Sequence, residues 1–197
     1  LIPDIQNSAK WTEMLQAIQR NLLEMEGGVP AMDKVLRHFA FAKQRYDSGA
    51  DPAAKVCLLL LPVVALLGYV ASDVRNARPQ RERAVHCLRL FTPKFCTSLG
   101  LTADYSLIAL EFIRLYDLAN HDVAKSLTEF EAFERKVTAM FVEGKVFAPA
   151  ADQRSQRFMT QVVRDQIKRR VVVRAGEHQL AVLGKCPPAA VEELRER

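Results

Sequence analysis

The sequence predicts a mainly α-helical fold, a helical bundle or short helical array, closed by a small C-terminal β-hairpin. Three observations predict it. Trp11, Leu15, Ile18, Leu22 and Met25 recur at helical spacing, the period of an amphipathic helix. Turn clusters such as Gly27-Gly28-Val29-Pro30 and Asp47-Ser48-Gly49-Ala50 separate the periodic stretches. Near the C-terminus, Val171-Val172-Val173 and Gln179-Leu180-Ala181-Val182-Leu183 flank Arg174-Ala175-Gly176-Glu177-His178, which reads as strand, turn and strand.

The elements follow in order. The first helix carries Trp11 to Met25, and a second runs from about Ala31 to Tyr46. Asp51 is expected to cap a third and Pro52 to occupy its first turn, where a missing N–H costs nothing. That segment holds Val56 to Ala71, sixteen residues without a charge, with Pro62 and Gly68 as kink signals. A short helix is expected from Gln80 to Phe91, and Thr92-Pro93 marks the next start, with Gly100 as a stop. A long helix opening at Thr102 places Tyr105, Ile108, Phe112, Leu115 and Tyr116 on its core side. Ser126 with Glu129, or Thr128 with Glu131, is a capping-box pattern for a helix to about Glu143. Its apolar side holds Phe130, Phe133, Val137, Met140 and Phe141, and Gly144 ends it. Lys145-Val146-Phe147 is read as a short strand, Asp152 to Arg169 as a helix, and a charged helix follows Pro187-Pro188. The division is a helical bundle over 1–125 and C-terminal helices plus hairpin over 126–197, packed as one unit.

A chain of 197 residues, 49% of them apolar, has enough material for a substantial core. It begins with Leu1 rather than Met, from which a fragment or processed form is expected. Cys57, Cys87, Cys96 and Cys186 show no CxxC or CxH spacing, so free thiols in a reducing, intracellular compartment are expected. Charge is unevenly placed. From Val74 to Lys94 six basic residues stand against Glu82 alone, and from Asp152 to Arg174 seven stand against Asp152 and Asp165. Each stretch nets +5, as does the whole chain, so the remainder nets −5. Two basic patches on an otherwise acidic chain point to an anionic partner, while ordinary solvated helix faces give the same pattern.

Three features bear on function. On a helical wheel Arg154, Arg157, Arg164 and Lys168 share a sector opposite Phe158, Met159, Val162 and Val163. One face packs and the other offers charge, with Lys168, Arg169, Arg170 and Arg174 extending it. The order helix, strand, helix and hairpin resembles a winged helix-turn-helix. It is also similar to winged helices that close helical arrays in scaffold subunits of large complexes, which implies contacts to other subunits rather than to DNA.

The second feature is histidine spacing. Arg83-Ala84-Val85-His86-Cys87-Leu88-Arg89-Leu90 and Leu118-Ala119-Asn120-His121-Asp122-Val123-Ala124-Lys125 resemble the first two motifs of HD-domain phosphohydrolases. That resemblance implies a divalent metal held by His86, His121 and Asp122, completed by Asp152 or Asp165, activating water against a phosphate ester. The bland alternative makes Asn120-His121-Asp122 a helix-ending turn and His86 a surface residue.

The third feature is the apolar run itself. It falls short of the roughly 20 residues a spanning helix needs, and a buried central helix competes with an interfacial segment. No GxGxxG, GxxxxGK[ST], GxSxG or HExxH occurs, which removes the usual evidence for dinucleotide folds, P-loops, serine hydrolases and zincins.

The expected protein is therefore a non-catalytic assembly or binding subunit without a cofactor. A protein partner in a larger complex comes first, nucleic acid next and a membrane surface last. Its contacts are expected at Arg154, Arg157, Arg164, Lys168, Arg169, Arg170 and Arg174, then at Arg75, Arg78, Arg81 and Arg83.

Overall fold

A computed structural model describes residues 8–24, 35, 50–117, 122–148, 157–168, 171–175 and 178–182; for residues 50, 51, 168 and both strands it describes the backbone alone. The protein is mainly helical. Helix α1 spans Ala9–Glu24, α2 Ala50–Leu58, α3 Leu60–Ser72, α4 Arg78–Leu90, α5 Pro93–Tyr116, α6 Ser126–Val137 and α7 Met159–Lys168. The backbone of β1, Val171–Ala175, runs antiparallel to β2, His178–Val182, with Val171 opposite Val182. Apart from Val35, the expected helix over 31–46 lies outside the described residues, as does the charged C-terminal one.

The apolar run is the centre of the fold, because Leu59, Leu60, Leu61, Leu66 and Val70 have no exposed surface. Helices α1, α4 and α7 and the strands pack around α3, while α2 lies on α5. The run is not one kinked helix, as expected, but two, bent by 79° at Leu59. Proline explains the position of the break. Pro62 has no N–H to offer the carbonyl of Leu58, so the helix restarts with Pro62 in its first turn, where that donor is dispensable.

The bend leaves buried backbone groups that must find partners. Gln166, fully buried on α7, supplies them. Its Oε1 accepts from Leu61 N at 3.1 Å, and its Nε2 donates to the carbonyls of Cys57 at 2.8 Å and Leu58 at 3.5 Å. One primary amide thus stands in for the Cys57-to-Leu61 bond of a continuous helix.

A second tie of this kind starts α7. Asp104, buried on α5, accepts from Met159 N at 2.6 Å, Thr160 N at 2.9 Å and Thr160 Oγ1 at 2.7 Å. A side chain from another helix therefore caps these orphan N–H groups, a task that falls more often to the residue at the helix start. Burial pushes the Asp104 carboxyl above its ordinary value, against the hydrogen bonds from Thr160 and Met159 that hold it down. Gly100 permits the approach: a Cβ there would lie 2.8 Å from Thr160 Cα. Gly100 is consequently no helix stop, since α5 runs through it.

Local signals fix other boundaries. Thr92 Oγ1 accepts from Phe95 N at 3.2 Å and Pro93 opens α5. Gly144, at φ 76°, ends a π-helical segment, Thr138–Val142, that continues α6. Lys145–Phe147 is a 3-10 turn rather than a strand. Helix α7 begins at Met159, where Asp104 supplies its cap, rather than at Asp152.

Candidate functional site

Of the expected C-terminal basic face, the described side chains are those of Arg157 and Arg164. Arg157 precedes α7 instead of lying on it, and its Nη1 meets Asp165 Oδ2 at 3.3 Å. Arg164 Nη1 donates to the Phe147 carbonyl at 2.9 Å, and its guanidinium lies 5.5 Å from the Phe147 ring centroid. Both arginines tie α7 to its own chain, the second through a cation–π contact. Lys168 ends α7 and Arg174 lies in β1; Arg154, Arg169 and Arg170 are outside the described residues.

Around α4 the second basic group divides. Arg75 Nε binds Asp73 at 3.0 Å and its Nη2 reaches Tyr69 Oη at 3.1 Å. That guanidinium holds the Asp73 carboxyl down at about 2. Arg78 pairs with Glu82 at 2.8 Å across one exposed turn. Arg81 is turned toward the packed side of α4, where its Nε is buried without a hydrogen-bond partner. Arg83, His86 and Arg89 are exposed.

The residues of the metal reading are scattered in role. His86 is exposed on α4, Asp122 Oδ1 accepts from Ala124 N at 3.0 Å, and Asp165 binds Arg157. His121 and Asp152 are outside the described residues. Among the described residues no three His, Cys, Asp or Glu side chains come together as a metal site. Cys57 and Cys96 make poor nucleophiles: burial pushes Cys57 up to about 12, with Asp104 adding to the effect, and Cys96 up to about 11. An open depression of about 710 Å³ beside α6 is lined by Glu134, Arg135, Lys136, Glu143 and Lys145. Its cations are partly used, Lys136 by Glu111 and Lys145 by Glu143.

A surface that sequence periodicity assigned to the core emerges instead at the end of the α5–α6 pair. Helix α6 has no buried residue. Phe133 stacks on Phe112 at 4.6 Å, and Phe130 meets the same ring edge-on at 6.2 Å. Tyr116 lies 5.0 Å from Phe112 and donates from Oη to the Ser126 carbonyl at 3.4 Å. Along and beside this aromatic seam Val123 is 78% exposed, Leu127 70%, Phe130 51%, Tyr116 41% and Leu115 38%. Tyr105, at 50%, is likewise not a core residue. Periodicity identified the apolar side of each helix; it carried no information that α6 would meet so little of the chain.

No protein-family model, curated protein or solved structure matches this chain.

Proposed function

We propose that the protein is a non-catalytic helical binding subunit that docks onto a protein partner through the exposed end of the α5–α6 pair. One observation carries this: α6 is amphipathic in sequence yet buries none of its residues, leaving Val123, Leu127 and Phe130 in water beside Tyr116. Contiguous exposed apolar surface of this kind marks interaction sites, and aromatic anchors are the side chains that interface cores favour. Exposed Arg114 and Lys125 alternate there with exposed Asp117, Asp122 and Glu131, so the rim offers both signs of charge to a partner around an apolar centre. The order of helix, turn, helix and paired strands at the C-terminus supports a further reading of that end as a winged-helix-like contact element. Its charged residues hold it together in this proposal more than they reach outward, given the bonds of Arg157 and Arg164.

The test is site-specific photo-crosslinking in the native cell with a probe at Leu127 and, as control, at Arg78. The reading expects one discrete adduct at position 127, lost in the Phe130→Asp background while the fold is retained, because the half-exposed ring gives up an edge-on contact with Phe112 that contributes about 0.5–1.5 kcal/mol. Equal labelling at both positions, or an adduct indifferent to Phe130→Asp, sinks it.

A further inference from the structure

We infer that the partner protein meets the exposed α5–α6 surface with a basic amphipathic helix; this rests on the docking function proposed for that surface and names what docks there. The two signs of charge are divided between the flanks of α6. Leu127, Phe130, Glu131 and Glu134 recur at i, i+3, i+4 and i+7, one stripe along the helix. Lys125 and Lys136, about three turns apart, share the other flank, where Lys136 binds Glu111 of α5.

That ion pair also fixes which side of α5 lies beside the stripe. Tyr116, and Asp117 directly after it, fall on the side away from Glu111. Arg114 leaves α5 opposite Phe112, the ring on which Phe133 stacks, and so points away from α6. Glu131, Glu134 and Asp117 are exposed, and no described cation pairs with their carboxylates. Arg135 borders the stripe, but its Nε donates to the Glu131 carbonyl at 3.3 Å. The Leu127 flank therefore sets three free carboxylates against one guanidinium.

The shape of the flank selects a helix. From Val123 to Glu134 it runs roughly 17 Å, about three turns. An extended peptide would need an open sheet edge to pair with, whereas α6 spends its N–H and C=O groups within the helix. A docking helix brings its own backbone bonds and needs only interlocking side chains. Its apolar ridge would cover Leu127 and Phe130, and lysines or arginines along its edge would reach Glu131, Glu134 and Asp117. An acidic segment would meet like charge there.

The photo-crosslink at Leu127 in the native cell tests the inference once the captured peptide is sequenced by mass spectrometry. The expected peptide has apolar residues at helical spacing and more lysine and arginine than acid. Glu131→Gln with Glu134→Gln removes two surface ion pairs and should lower the adduct yield roughly two- to thirtyfold. Glu131→Lys with Glu134→Lys should lower it further, because repulsion replaces attraction. Should the lysine variant unfold, as circular dichroism would show, the glutamine variant carries the test. A captured peptide that is acidic or neutral, that lacks a helical apolar period, or that comes from a second copy of this chain overturns the inference. So does an adduct indifferent to both charge changes. Each of these outcomes leaves the docking function standing, whereas the absence of any adduct at Leu127 in the unaltered chain sinks that function itself.

Discussion

Replacing Gln166 with methionine keeps the length and nearly the volume of the side chain while removing both its donor and its acceptor. The buried N–H of Leu61 and carbonyl of Cys57 then lose the partners they hold at 3.1 Å and 2.8 Å. Stranding a buried polar group costs about 1–3 kcal/mol, which gives about 2–6 kcal/mol for the pair. The substitution also spares the fold the burial of an amide, bringing the expected loss to about 3 kcal/mol. Set against a total stability of about 5–15 kcal/mol, that is a large fraction. With a urea slope of about 2–3 kcal/mol per molar, the unfolding midpoint should fall by about 1–1.5 M at unchanged slope. Native-state hydrogen exchange at Leu61 should accelerate in step. A loss below about 1 kcal/mol would mean that the bend satisfies its own backbone, and the account of Gln166 would be wrong.

Gly100→Ala pits a helix-propensity gain of about 1 kcal/mol against a Cβ placed 2.8 Å from Thr160 Cα. The clash should prevail by about 1–2 kcal/mol, read as a melting temperature lowered by about 2–8 °C. Asp73, held at about 2 by Arg75, contributes stability that is present above its ordinary value of 3.8 and lost as pH falls through about 2. Arg75→Ala should flatten that acid limb in denaturation curves taken from pH 5 downward, and an unchanged limb would refute the pairing. Alkylation of the native protein at pH 8, mapped by peptide mass, should spare Cys57 and Cys96, whose thiols sit at about 12 and 11, and should modify half-buried Cys87 first among these three. Fast labelling of Cys57 would contradict its burial.

What the sequence disclosed was local, and what it withheld was tertiary. The Thr92-Pro93 start and the Gly144 stop were legible because each acts on its own turn, through a hydroxyl that accepts from Phe95 N and a left-handed φ. Gly100 was misread because its role is a contact with Thr160, sixty positions away. Pro62 was recognised as a kink, yet the break fell at Leu59, where the missing donor has its effect. On the surface, the arginines of α4 were visible as charge, but nothing in their spacing showed that Arg81 turns inward. The internal ties of Arg157 and Arg164 depend on Asp165 and on a carbonyl at Phe147; a carbonyl has no sequence signature. The aromatic positions on α5 and α6 were named, but a helical period shows which side of a helix is apolar and not how much of that side the chain covers.

The Gln166 bridge also sets a timetable for synthesis. Leu61 leaves the ribosome 105 residues before the side chain that completes its bond. At about 5–20 residues per second, the bent α2–α3 segment waits roughly 5–20 s with the backbone groups at its bend unanswered. Codon choice and translation speed across the stretch from α4 to α7 therefore bear on the yield of folded protein, and that interval is when a chaperone would have most to do.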